Sequence, residues 1–202
     1  MLKQCEETLR HVVDVLPAAE DVTVDTWIWV HALLADILLQ LARLAPSQAE
    51  IQHYLGEAQL LCDEVEASPG MRNLAETVAW VQGVRGGVLV HQAQHASDAE
   101  RETLLLDADR QCTAAMDVSN RESAPEDWAG ARHNFALLTL EYARHIEKAD
   151  EESACSVLDM GRTVLSEALE VYAAPLFAAE YQQALALRER IEQYATQLKC
   201  GA

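Results

Sequence analysis

With 202 residues, half of them apolar, the chain is long enough to bury a sizeable core, which argues against global disorder. Its 33 acidic against 15 basic residues give a formal charge of −18, so most of its surface repels a polyanion and direct nucleic-acid binding is disfavoured. That charge serves either as a self-repelling, solubilising surface or as an attraction for a basic partner protein. Few Gly and Pro, abundant Ala, Leu, Glu and Gln, and no alternating apolar run predict an all-α chain.

In chain order, residues 2–16 read as an amphipathic helix with Leu9, Val12, Val13 and Leu16 on one face, stopped by Pro17. After an acidic connector, a helix from about Asp25 to Ala45 is so apolar that it must be covered on more than one side. Ser47 and Glu50 have capping-box spacing ahead of a third helix reaching residue 67. Asn73 and Glu76 offer a similar start for a fourth, over about 73–95. Glycines 83, 86 and 87 lower its helix propensity, by roughly 1 kcal/mol each relative to Ala. Close helix–helix approach is the favoured compensation, with a kink or an opening for a ligand as the alternative.

Ser97 and Glu100 open a fifth helix to about Val118. Ser123, Pro125 and Glu126 predict the start of a sixth near residue 124, by a capping box with proline in the first turn. Its Trp128, Ala131, Phe135, Leu138 and Tyr142 form a buried stripe. A seventh helix, to residue 172, carries a broad apolar face around Leu158, Leu165 and Leu169, and Pro175 begins the last, about 176–198. Short breaks between eight helices make neighbours antiparallel hairpins, spanning about 25–67, 73–118 and 124–172 within a single 1–202 domain. The hairpins either stack as an open solenoid or close into a bundle.

An internal period bears on that choice. Aromatics early in a helix recur at Trp27, Trp80, Trp128 and Phe177, separated by 53, 48 and 49 residues. Here the chain resembles the tetratricopeptide-repeat family in its long-period bacterial form, through Pro125, Trp128, Ala129, Asn134, Phe135 and Ala136. Pro175, Phe177, Ala178 and Tyr181 carry the likeness less fully, and Trp80 and Trp27 keep only aromatic and small positions. The resemblance implies a right-handed α-solenoid whose first helices line a concave groove holding a segment of another protein. Carried over, the groove positions are His133, Leu137, Leu140 and Glu141, then Gln82, Arg85, Leu89 and Gln92, then Gln182, Ala186 and Glu189, with Asp36 and Gln40 from the first repeat. The other reading of these residues is plain solvent exposure on long helices.

The expected function is therefore non-catalytic: an adaptor-, chaperone- or inhibitor-like module for a basic or amphipathic helical segment, with pairing into a homodimer left open. The competing reading is a helical-bundle enzyme or a small-ligand or metal sensor, with a site near Trp80–Gly87 or at His91 and His95. Those two histidines share one helix face, but the glutamate of a His-Glu-x-x-His site is missing and the paired Glu-x-x-His motifs of a di-iron bundle do not occur, so no metal or other cofactor is expected. No nucleophile elbow or phosphate loop is present. Five cysteines (5, 62, 112, 155 and 200) lie far apart in odd number, which fits neither a disulfide framework nor a zinc knuckle and points to a reducing, cytoplasmic setting. The charged N-terminus reads as neither signal peptide nor anchor, and His31, Asp36, Gln40 and Arg43 interrupt the Trp27–Ala45 stretch, arguing against a membrane span.

Overall fold

A computed structural model describes residues 2–15, 23–68 and 75–200. These residues form eight α-helices, with no strand among them: α1 (Leu2–Val15), α2 (Val24–Leu44), α3 (Gln48–Ala67), α4 (Ala75–His95), α5 (Asp98–Val118), α6 (Pro125–Ile146), α7 (Glu151–Tyr172) and α8 (Ala178–Gln197). One turn of 3₁₀ helix at Pro175–Phe177 precedes α8, so the proline starts that turn and the α-helix proper begins three residues later. The Pro17 stop, the Ser68-Pro69-Gly70 break and the Asn73 cap lie wholly or partly outside the described residues.

Local chemistry accounts for most of the starts. Ser47 accepts from the Glu50 N–H at 3.3 Å, and Asp150 accepts from the Ser153 N–H at 3.0 Å. Glu100 reaches back to the Ser97 N–H at 3.3 Å. These contacts satisfy donors that the first turn of a helix leaves without partners. The start of α6 differs from expectation. Its N-cap is Ala124, with no side-chain cap, while Asn120 Oδ1 accepts from the backbone N–H groups of Glu122 and Ser123. Ser123 and Glu126 therefore make no capping box.

Each connector of two to four residues folds a helix back on its neighbour, pairing α2 with α3, α4 with α5 and α6 with α7 as antiparallel hairpins. Successive hairpins also pack through their first helices, α2 on α4 and α4 on α6, with α6 touching α8. Polar contacts between hairpins keep a near-constant spacing: Arg43–His91, Gln94–Glu141, Arg121–Glu170 and Arg190–Glu141 join residues 47 to 49 apart.

The core falls in two clusters that share α4. Val81, Val84 and Val88 join Ile28, Leu38 and Leu55 on the α2–α3 side, whereas Leu89, Val90 and Ala93 join Leu105, Leu140 and Leu158 beyond. Helix α4 can serve both because its glycines bring neighbours close. A Cβ on Gly86 would overlap Cys112 Sγ of α5, and one on Gly87 would sit 2.8 Å from Leu39 of α2 and 3.4 Å from the Asn134 amide of α6. Close packing is the compensation at 86 and 87, while Gly83, with only Ala115 at 3.9 Å, borders an open space. Along α6, Trp128, Ala131, Phe135 and Leu138 are buried as expected, and Tyr142 is partly so. By length and composition α2 could cross a membrane, but 56% of its apolar window is buried among α1, α3 and α4 in this fold.

Cys155 and Cys200 are joined as a disulfide that ties the start of α7 to the end of α8. The sequence spacing had suggested no such pair. The antiparallel α7–α8 hairpin brings together two residues 45 apart, which spacing alone does not reveal, and the cysteine argument for a reducing compartment loses its premise for these two.

Candidate functional site

Residues mainly of α2, α4, α6 and α8 line two adjoining, partly open cavities, of about 130 Å³ and about 710 Å³. They share Asp36, Gln40, Arg43, His133, Glu180 and Gln183, so together they form one groove across four helices. The smaller end is flanked by Trp80, Gly83, Glu126 and Tyr172, and the larger by His91, Gln94, Leu137, Ala186 and Arg190, with Leu2 of α1 at its edge.

Arg43 is the centre of the groove. Its Nε donates to His91 Nε2 at 3.0 Å, Nη1 to Gln40 Oε1 at 3.3 Å and Nη2 to Asn134 Oδ1 at 3.3 Å. Asn134 in turn donates to the Gly83 carbonyl at 2.8 Å, and its amide lies against Gly87, where a Cβ would stand 3.4 Å from it. Because His91 Nε2 accepts, the ring proton is on Nδ1 and donates to Gln94 Oε1 at 3.0 Å. Gln94 Nε2 then donates to Glu141 Oε1 at 3.0 Å, which also receives Arg144 at 2.9 Å and Arg190 at 3.3 Å. One hydrogen-bonded chain thereby crosses α2, α4, α6 and α8 and fixes the groove floor.

Burial and charge set the protonation states. Desolvation, then the neighbouring Arg43 charge, lowers both His91 and His133 from 6.5 to about 3, so both are neutral at pH 7. Desolvation raises Asp36 and Glu126 above their ordinary carboxylate values; Glu180 adds repulsion to both, although Arg43 and Gln40 partly offset the effect on Asp36. The Arg43 guanidinium makes no direct ion pair with a carboxylate among the described residues, and neutral acceptors hold it instead.

The positions carried over from the repeat resemblance separate into two groups. Asp36, Gln40, His133, Leu137 and Ala186 line the groove. Glu141 lies just under it, 8% exposed and clasped by Arg144 and Arg190. The others lie elsewhere. Leu89 and Leu140 are core residues, and Arg85 turns to α3, pairing with Asp63 and Glu66. Gln82 and Gln92 are half-buried outside both cavities, Gln82 with its Oε1 buried and unpartnered. Gln182 is exposed beside the groove-lining Gln183, and Glu189 is exposed on another face, hydrogen-bonded to Gln193. On α4 the groove is lined by Trp80, Gly83, Val84, His91, Gln94 and His95, so the carried-over set is misphased by one or two residues. Each residue turns a helix by about 100°, enough to move a side chain off the groove.

Arg43, Asn134, Gln94, Tyr172, Glu180 and Arg190 were not singled out as groove residues from sequence, because their meeting depends on four helices being in register. Both His91 nitrogens are hydrogen-bonded, and no group of three or more His, Cys, Asp or Glu residues placed to hold a metal ion occurs among the described residues. Comparison with protein-family models, with curated proteins and with solved structures returned no match.

Proposed function

We propose that the hairpins form a right-handed, tetratricopeptide-like superhelix and that its groove holds a short segment of another protein, without catalysis. The carrying observation is the continuous groove across α2, α4, α6 and α8, whose polar floor is cross-linked by the Arg43–His91–Gln94–Glu141 chain. A floor held in place before binding loses little conformational freedom on binding, which favours recognition by shape and register. Leu137, Ile37 and Ala186 offer apolar contact, and the −18 charge favours a basic segment, arriving by electrostatic attraction.

The test uses short segments selected from a random display library against the full chain. Ala186→Trp fills the larger cavity from an exposed position, whereas Glu189→Trp places the same bulk on α8 outside it. Ala186→Trp should weaken binding of the selected segments at least tenfold and Glu189→Trp should leave it unchanged. Equal effects from the two variants, or none from Ala186→Trp, would contradict the reading.

A further inference from the structure

Resting on that groove reading, we propose that the Cys155–Cys200 disulfide is a redox switch for the groove. Oxidised, it clamps α8 in place as a wall of the groove; reduced, it lets α8 loosen and the bound segment leave. Helix α8 contributes Ala179, Glu180, Gln183, Ala186, Leu187 and Arg190 to the two cavities. The groove keeps that wall only while α8 is docked.

Little besides the disulfide holds α8. It packs mainly on α7, with a smaller contact on α6, and of its 20 residues only Ala184, Leu187, Ile191 and Ala195 are buried. Glu189, Glu192, Gln193, Thr196 and Gln197 are exposed, so no described helix covers that side. Its polar ties to neighbouring helices include Arg190–Glu141 at 3.3 Å, Arg162–Glu192 at 2.8 Å and Tyr194–Glu147. Ion pairs with an exposed partner contribute little. A helix with so few buried contacts opens locally more readily than the core. The turn at Pro175–Phe177 fixes one end of α8 through the backbone and the disulfide fixes the other, so reduction leaves one covalent attachment.

A second observation lies in the backbone beside the bond. Lys199 has φ of 56°, the left-handed region, and no other non-glycine residue among those described has a positive φ. A side chain is strained there, and such a conformation persists only where its surroundings hold it. Here the Cys200 N–H donates to the Ala195 carbonyl at 2.9 Å, the Lys199 N–H to the Thr196 carbonyl at 3.2 Å, and the disulfide anchors the far side of the turn. Cutting the bond removes one of these restraints, and the strain then favours unwinding from the C-terminal end of α8.

The chemistry is thiol–disulfide exchange with a dithiol. Cys155 and Cys200 are both partly exposed. A thiolate of the dithiol attacks one sulfur and breaks the S–S bond, and its second thiol resolves the mixed disulfide. The protein gains two electrons and two protons as two cysteine thiols, and the dithiol leaves as a cyclic disulfide. Cys62 and Cys112 do not compete, because both are buried and burial pushes their thiols up to about 12.

The full chain is compared with and without dithiothreitol, carrying Cys5→Ser throughout to remove the exposed thiol of α1. Hydrogen exchange is followed helix by helix, and the affinity of segments selected on the oxidised chain is measured by fluorescence anisotropy. Reduction should speed exchange in α8 at least tenfold while leaving α2 to α5 unchanged, and should weaken segment binding at least threefold. Removing the reductant and adding oxidised glutathione should restore both. Cys155→Ser should match the reduced protein and ignore dithiothreitol. Exchange in α8 that does not respond, or that rises no more than in α2 to α5, would overturn the switch. The two readings fail separately. Segments weakened by Ala186→Trp but indifferent to reduction overturn the switch and leave the groove standing. Redox-dependent exchange in α8 of a chain whose segments ignore Ala186→Trp supports release of the helix and refutes the groove.

Discussion

Replacing Gly86 by Ala should destabilise the protein even though alanine is the better helix former. A Cβ there would overlap Cys112 Sγ and stand 3.3 Å from the Cys112 backbone nitrogen and 3.6 Å from its Cα. Cys112 is fully buried on α5, and its side chain is too short to swing away, so relief requires α4 and α5 to separate. Overpacking of this kind costs about 1–3 kcal/mol, against a propensity gain of about 1 kcal/mol. The net loss should be up to about 2 kcal/mol, or up to roughly 8 °C in Tm for a chain of this size. Gly56→Ala is the matched control: nothing lies within 4 Å of its would-be Cβ, so the propensity gain should appear alone, as up to about 1 kcal/mol of added stability. Urea denaturation of both variants, with Gly86→Ala repeated in a Cys112→Ala background, measures the effect. The double variant should recover about 1 kcal/mol of coupling, because its sulfur is gone. Gly86→Ala as stable as Gly56→Ala would refute the close approach of α4 and α5.

The remaining predictions concern pH and redox state. His91 and His133 take up protons near pH 6.5 when unfolded but only near pH 3 when folded, so their contribution is complete above about 6.5 and is lost progressively as pH falls toward 3. The groups facing them include Arg43 and Arg190, which stay charged, and the raised Asp36 and Glu126, which respond in the opposite sense in wild type and variant alike. The histidine contribution should therefore fall from pH 7 to pH 5.5, so His91→Gln with His133→Gln should lose less stability than the wild type between the two pH values in denaturation; an identical change in both would contradict the assignment. The Cys155–Cys200 bond closes a loop of 45 residues, for which chain entropy allows up to about 4 kcal/mol of stabilisation. Reductant should lower the melting temperature of the wild type and leave Cys155→Ser unaffected, and identical shifts in both would show that the bond contributes nothing.

How far the sequence reached differs between fold and site. Helices with strong periodicity were legible within a residue or two: the predicted third helix ended at residue 67, as α3 does, and the Trp128–Leu138 stripe is buried. Turn chemistry was less secure, because Ser123 and Glu126 have the spacing of a capping box while Asn120 satisfies the same turn from further back. Phase across repeats was the weakest step. The aromatic repeat aligns α4 with α6 only to within a residue or two, and on a helix that error exchanges groove for core, as at Leu89, or for a flanking helix, as at Arg85. Contacts such as Arg43–Asn134, 91 residues apart, join α2 to α6 and have no local signature. The disulfide was hidden for the same reason.

The most direct measurement compares two adjacent residues of α8. Gln183 lines both cavities and Gln182 faces solvent beside them. A benzophenone photocrosslinker placed at each position in turn, in the presence of a selected segment, should capture that segment from 183 and not from 182. Capture from 182 at equal yield, or from neither, would contradict a groove that holds its partner along the inner faces of α2, α4, α6 and α8.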